Sequence, residues 1–308
     1  MSTVSKNLES ALFLLLIIGY NVCMRWNMEV LKNVSIKPYT SMKVGGNVKE
    51  IFFPEDTDDI LDVLNKCKDV IVIGNCSNLI IPDGYYDKSF MILRDNFSKI
   101  RKDGYRIIAE SGVTMKALSR FALKSYLKGF EFLDGIPGTI GGGIFMNAGA
   151  YGPVISDVLE SVSAIRDGKV VRYTKEQLDF SQRYSSFQTN GEIIVGATFI
   201  GEEGDQKEIE AVINDLNGRR REKQPLDYPS CGSVFKRPEN GFASKIIDEC
   251  GLKGLRIGGA EVSKKHAGFI INVDNASYED VVSLIQKVHD IVLDKTGISL
   301  ETEVKILR

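Results

Sequence analysis

Three stretches of the 308-residue chain place glycine where a backbone must run bare. MKVGGN spans 42–47, GNCSN spans 74–78, and GIPGTIGGGIFMNAGAYG spans 135–152 with seven glycines in eighteen residues. Ordering so many glycines costs conformational entropy, which something must offset. Backbone N–H groups without a Cβ in the way hold phosphate oxygens well, above all when successive amides form a concave nest. One such stretch reads as a turn. Three of them, one this long, point to a dinucleotide or another diphosphate ligand. The two common phosphate fingerprints are missing: no G-x-G-x-x-G opens a helix behind a strand, and no P-loop occurs. A Rossmann dehydrogenase and a kinase or ATPase lose their main support.

Other chemistry is thinly supplied. The five cysteines (Cys23, Cys67, Cys76, Cys231, Cys250) include no C-x-x-C pair, and the only histidines are His266 and His289. Neither a disulfide framework nor a zinc site is indicated; reduced thiols of a cytoplasm fit the pattern. His266, between two lysines and an apolar run, is a minor site candidate. Net charge is -2, from 39 Lys+Arg against 41 Asp+Glu. That balance argues against a nucleic-acid partner and leaves room for a local basic pocket.

The elements that must position these loops are legible from pattern. VKEIFFP (48–54) and DVIVIG (69–74) read as strands around a helix opened by an Asp/Thr cap, with Ile60, Leu61, Val63 and Leu64 as its apolar stripe. Thr114 caps a second helix carrying Ala117, Leu118, Phe121 and Ala122. The long glycine stretch shows neither helical nor strand periodicity. A hairpin turns at Asp167-Gly168, and 192–199 is another strand. Beyond GEEGDQ (201–206) the composition shifts. A charged helix runs from Lys207 to Arg221, a short one from Ala243 to Cys250, and a long one opens at Ser277 and ends at Gly297. A last strand is expected over 300–307. Its parity puts Leu300, Thr302, Val304 and Ile306 on one face, and Glu301, Glu303 and Lys305 on the other. The class is α+β.

The N-terminal run Ala11–Tyr20 is too short to span a bilayer. No A-x-A site follows it, and Glu9 offsets Lys6. A packing helix, a weak anchor, or an extension ahead of a start at Met24 or Met28 are its three readings. The third is preferred, because patterned sequence begins near Val30. No membrane insertion is expected.

In order along the chain, YTSMKVGG, GNCSNLII, GIPGTIGGGIFMNAGAYG, RYSSFQ, CGSVFKRP and LETEV resemble the UDP-N-acetylenolpyruvoylglucosamine reductases, over about residues 36–306. The resemblance implies a PCMH-type (vanillyl-alcohol-oxidase-like) FAD-binding region of two subdomains over 30–200. It implies a C-terminal α+β substrate domain over 201–308, behind an extension at 1–29. It implies noncovalent FAD, NADPH as hydride donor and a UDP-sugar substrate. The cofactor contacts fall on Val44, Gly45, Gly46, Gly74, Asn75, Cys76, Ser77, Asn78, Gly112, Pro137, Gly138, Thr139, Gly141, Gly142, Asn147 and Gly149.

The implied chemistry saturates an enolpyruvyl ether, and charge builds on its α-carbon and carboxylate. By the resemblance, Ser233 protonates the α-carbon, Arg183 holds the carboxylate in its guanidinium fork, and Glu303 hydrogen-bonds the developing enolate. Lys223 contacts substrate phosphate, behind a basic run of Arg219, Arg220 and Arg221; Asn272 is a weaker candidate. From residue types alone, Ser233 is a tight turn, Arg183 a surface ion pair, Lys223 a solvated helix end, and Glu303 inseparable from Glu301. The chain departs from the family pattern at Gln182-Arg183-Tyr184 and at Arg237. The short span from Arg183 to Ser233 matches the type without an extra tyrosine-bearing loop. Two rivals stand beside this reading. A covalent flavin oxidase wants a histidine or cysteine that Val44–Asn47 lacks. A nonenzymatic nucleotide-binding regulator has no use for Ser233, Arg183 and Glu303 together.

Overall fold

Residues 28–308, Asn240 excepted, are described by a computed structural model; the apolar run at 11–20 lies outside them. The chain first builds a four-stranded sheet from β1 (Glu29–Ser35), β2 (Asn47–Phe53), β3 (Val70–Ile73) and β4 (Tyr85–Ile92), in the order β1-β2-β4-β3. β1 and β2 pair antiparallel, while β4 runs parallel to both β2 and β3. The crossover from β2 to β3 is helix α1 (Thr57–Lys66). The Asp56 carboxylate accepts the Asp59 N–H at 2.9 Å and so satisfies one of the amides that a helix start leaves open. Ile60 and Val63 pack with Phe52 and Met91. Strand β3 ends directly in GNCSN, which places that loop at the sheet's C-terminal edge.

A second, antiparallel sheet comprises β5 (Ile100–Asp103), β6 (Arg106–Glu110), β7 (Leu159–Arg166), β8 (Lys169–Thr174) and β9 (Ile193–Ile200), in the order β8-β7-β9-β6-β5. The β7–β8 turn carries Asp167 at φ 49° and Gly168 at φ 72°, two left-handed residues as a two-residue hairpin requires. Helix α2 (Met115–Lys124) is capped by Thr114, whose Oγ1 accepts the Ala117 N–H at 3.0 Å. Its Leu118 and Ala122 bury against Ile107 and Phe199.

The long glycine stretch holds a helix that its composition hides. Helix α3 (Ile140–Phe145) starts at Thr139, whose side chain accepts the Gly142 N–H at 3.5 Å. Each helical glycine costs up to about 1 kcal/mol relative to alanine. Burial of Ile140 and Ile144, four residues apart and both fully enclosed, offsets this.

Helix α4 (Gln206–Lys223) leads to the last sheet: β10 (Ser230–Ser233), β11 (Arg256–Ile257), β12 (Ala260–Val262) and β13 (Phe269–Asn272), in the order β10-β13-β12-β11. Helices α5 (Ala243–Glu249) and α6 (Tyr278–Thr296) complete this part. Ser277 and Asp280 close a reciprocal capping box on α6, and Gly297 at φ 71° stops it. Val281, Leu284 and Val288 face Ala260, Val262 and Ile270 in one core. Among the described residues no helix is long and apolar enough to cross a membrane.

The strand expected over 300–307 is shorter, because the segment changes partners halfway. Glu303 N–H bonds Val234 O at 2.8 Å, then Lys305 N–H bonds Asn78 O at 3.0 Å. Only Lys305–Ile306 remains regular, paired parallel to Leu79–Ile80. The parity holds in part: Leu300 and Val304 are buried and Glu301 and Lys305 are exposed, but Glu303, expected on the outward face, is drawn in.

Candidate active site

The GNCSN loop has the electrostatics of an anion cradle. Its carbonyls are held from outside: Asn75 O accepts from Ser41 Oγ at 2.8 Å, Cys76 O from Cys231 Sγ at 3.7 Å, and Asn78 O from the Lys305 amide at 3.0 Å. The N–H groups of Gly74 through Asn78 find no acceptor among the described residues. Cys76 sits at φ 48°. A left-handed residue within such a run is what turns successive amides to one side. Burial pushes the Cys76 and Cys231 thiols up to about 12, so both are neutral packing groups. Across the cradle, Ser77 Oγ donates to Pro137 O at 3.1 Å, which docks the glycine stretch onto the loop. A Cβ on Gly74 would collide with Thr139 Oγ1. Five open amides on a glycine-lined floor fit the diphosphate of a dinucleotide.

The glycines do not all answer to a ligand. A Cβ on Gly46 would strike the Gly84 backbone, one on Gly112 the carbonyls of Arg94 and Phe97, and one on Gly149 the Pro153 carbonyl. The chain's own backbone imposes glycine there. Gly45 and Gly46 give their N–H groups to Asp83 Oδ1 (3.2 Å) and Pro82 O (2.9 Å), so the first glycine loop is a splice rather than a nest. Val44 is buried in the C-terminal core. Asn147 is buried too, with its amide bonded to Ser181 O and the Ser156 N–H. Gly142 faces open space apart from Thr139, and Gly141 rests against Ser111. Gly138 adopts φ 125°, closed to other residues.

Beside the cradle stands a charged pair. Arg183 and Gln182 form the two-residue turn of a hairpin that pairs Ser181 with Tyr184. Arg183 holds φ 57°, a seat that glycine ordinarily takes. Its Nε donates to Glu303 Oε1 at 2.9 Å and its Nη2 to Gly149 O at 3.1 Å. Glu303 is tied on both sides: its amide bonds Val234 O, and its carbonyl accepts from Asn78 Nδ2 at 3.2 Å. Burial raises the Glu303 carboxyl above the usual carboxylate range, and the neighbouring Arg183 and Lys236 charges pull it back in part. The structure thus separates two glutamates of equal parity. Glu303 side-chain exposure is 18%, whereas Glu301 is 71% exposed and paired with Lys236.

Ser233 follows Gly232, at φ 73°, in a bulge of β10 where Ser230 pairs Ile271 and Ser233 pairs Phe269. Bulges re-aim side chains; the Ser233 hydroxyl is exposed with no partner among the described residues. Val234, its neighbour, accepts the Glu303 N–H, which puts the backbone of Ser233 one residue from that of Glu303, the partner of Arg183. Lys223 ends α4, exposed and without a partner among the described residues. His266 serves packing: its ring stands edge-on against Phe269 at 4.9 Å, its Nδ1 accepts the Gly268 N–H, and burial lowers its pKa. Asn272 likewise ties Met42 O to the Ala276 N–H. Arg237 stacks on Phe242 at 4.1 Å. Sequence reasoning misses Gln188, which bonds Arg183 O, Phe145 O and Lys305; a lone glutamine gives no signal in a pattern.

An amide cradle beside a cation–carboxylate pair on this α+β frame suits a dinucleotide enzyme, and the comparisons with known proteins make its class that of an FAD-dependent oxidoreductase. An FAD binding domain model matches residues 48–174, and a model of the UDP-N-acetylenolpyruvoylglucosamine reductase C-terminal domain matches 224–307. A UDP-N-acetylenolpyruvoylglucosamine reductase of Clostridium novyi is 43% identical over 284 residues, 91% of this chain and 92% of that protein. One of Geobacillus thermodenitrificans is 44% identical over 91% of this chain and 93% of its own length. The crystal structure of the Thermus caldophilus enzyme superposes with a TM-score of 0.80 at 30% identity, covering 92% of this chain and 99% of that one. The chain belongs to the UDP-N-acetylenolpyruvoylglucosamine reductase family. Its fold is the α+β class expected, with an FAD binding domain ahead of the C-terminal sheet.

Proposed function

We propose that this chain reduces the enolpyruvyl ether of UDP-N-acetylglucosamine enolpyruvate to the lactyl ether, with NADPH as hydride donor, in peptidoglycan precursor synthesis. The observation that carries the reading is the Arg183–Glu303 contact at 2.9 Å, beside the open amides of Gly74–Asn78 and one residue from Ser233 by the Glu303–Val234 bond. The domain division that suits it is FAD binding over 30–200 and substrate binding over 201–308. The amides of Gly74–Asn78 would hold the diphosphate of FAD, which would supply the hydride-transfer chemistry between NADPH and the alkene.

The chain's own groups handle charge and protons. As hydride reaches the β-carbon, negative charge grows on the α-carbon and carboxylate of the substrate. Arg183 presents a guanidinium already oriented by two acceptors, so stabilising that charge needs little reorganisation. Glu303, whose carboxyl burial raises against the pull of Arg183 and Lys236, is placed to hydrogen-bond the enolate oxygen. The Ser233 hydroxyl protonates the α-carbon. A serine is a weak acid, and this step relies on the strong basicity of the enolate carbon. Lys223, free at the helix end, contacts the UDP phosphates.

The reduced cysteines Cys76, Cys231 and Cys250 support a cytoplasmic setting, where the product supports wall growth, cell shape and division. The test is anaerobic. NADPH should bleach the yellow protein, and UDP-N-acetylglucosamine enolpyruvate should restore the colour at one equivalent. A reduced protein that regains colour only with oxygen would defeat the reading.

A further inference from the structure

One glutamine closes a ring of hydrogen bonds through the site. Gln188 Nε2 donates to Arg183 O and to Phe145 O, each at 2.9 Å, and its Oε1 accepts from Lys305 Nζ at 3.1 Å. The Lys305 amide bonds Asn78 O, Asn78 Nδ2 bonds Glu303 O, and Glu303 Oε1 receives Arg183 Nε. The ring therefore runs from the cradle loop to the carboxylate, to the cation, and back through Gln188.

Its demanding member is Arg183. A left-handed arginine costs about 1–2 kcal/mol against an ordinary backbone, so φ 57° must be held by its surroundings. The hairpin around it is two residues deep on each side, too short to impose that conformation alone. The side-chain amide of Gln188 grips the Arg183 carbonyl directly. It anchors that grip on Phe145, the last residue of the glycine helix. Ser185 Oγ bonds the same Phe145 carbonyl at 2.9 Å, which fixes the anchor point.

We infer that Gln188 is a positioning residue: by donating to the Arg183 and Phe145 carbonyls it holds the left-handed turn that aims the Arg183 guanidinium at Glu303 and the substrate carboxylate. This rests on the reading of Arg183 proposed above. The donor is the active part. The acceptor bond to Lys305, an exposed side chain, joins the ring to the C-terminal segment but does not set the turn.

Three substitutions separate donor from bulk. Gln188→Met keeps length and loses both functions, Gln188→Glu keeps only the acceptor, and Gln188→Lys keeps only a donor. The expected result is a fall of about tenfold or more in kcat for reoxidation by substrate in the Met and Glu variants, with FAD content retained. The Lys variant recovers to within about threefold of wild type. The second readout needs no turnover. In 15N-arginine-labelled holoprotein, the Arg183 Nε–H signal, assigned by its loss in Arg183→Lys, should be protected from exchange in wild type and Gln188→Lys. It should exchange freely in Gln188→Met. A protected signal and wild-type kcat in Gln188→Met would overturn the proposal. So would equal losses in all three variants that track their melting temperatures. A wild-type protein inert toward the enolpyruvyl sugar would instead defeat the functional reading, while the exchange measurement still decides the positioning role.

Discussion

Glu303 Oε1 receives Arg183 Nε at 2.9 Å although burial holds the Glu303 carboxyl above its ordinary range. The contact is a lock set against burial: the guanidinium is oriented before substrate arrives, and the Arg183 and Lys236 charges oppose the upward push of burial on the carboxyl.

The pH dependence follows in sign. A carboxyl whose folded pKa lies above its unfolded value contributes stability that is complete below about 4.3 and is lost as pH rises through the folded pKa. Glu303→Gln removes that dependence while its carbonyl still accepts from Arg183. The stability of the variant relative to wild type should therefore increase between about pH 4 and about pH 8, read from urea midpoints. A relative stability that falls over this range contradicts the shift. Substrate reduction in the same variant should drop by about 10²-fold or more.

Ser233→Ala should leave FAD content and bleaching by NADPH intact. Reoxidation by the enolpyruvyl sugar should slow by about 10²- to 10⁴-fold, the range of a lost proton donor. Single-mixing stopped flow under anaerobic conditions separates the two halves, and unchanged reoxidation removes Ser233 from the mechanism.

Lys223→Ala should raise KM for the UDP-sugar by about ten- to a hundredfold with kcat nearly unchanged, as expected for loss of one charge-assisted hydrogen bond. A fall in kcat alone would assign Lys223 elsewhere.

Gly112→Ala places a methyl group against the Arg94 and Phe97 carbonyls. Backbone cannot swing aside, so a destabilisation of about 1–3 kcal/mol is expected from urea unfolding of the protein, with or without bound FAD. A neutral result would show that the turn relaxes.

The sequence reveals those features whose cause is local. Asp56, Thr114 and Ser277 mark three helix starts because capping needs only a side chain and an amide three residues on. The GNCSN loop is legible because a strand ends in it. Helix α3 escapes a pattern reading: its glycines suppress any apolar period, and only Thr139 and the Ile140–Ile144 spacing announce it. Glycine itself is ambiguous. Gly46 and Gly112 face backbone while Gly142 faces space, and composition records only the missing Cβ. Glu303 and Glu301 are inseparable by parity, because what divides them is which remote segment covers each. Gln188 and the left-handed Arg183 are illegible for the same reason, since their partners lie up to 120 residues away.

The bond between Asn78 and Glu303 joins residues 225 positions apart, and the regular ladder beside it is two residues long, Leu79–Ile80 with Lys305–Ile306. Closing so wide a loop is slow, and so short a ladder opens readily. Amide exchange should therefore find Lys305 and Leu307 among the earliest protons lost from the C-terminal part. Their opening would free the Asn78 carbonyl and loosen the segment that carries Glu303, while Ser41 and Cys231 still hold the Asn75 and Cys76 carbonyls. On the roles proposed above, the cradle and the reacting carboxylate then share one hinge, and the fraction of molecules in which it is shut at growth temperature sets a ceiling on turnover that no improvement in the reacting groups can lift.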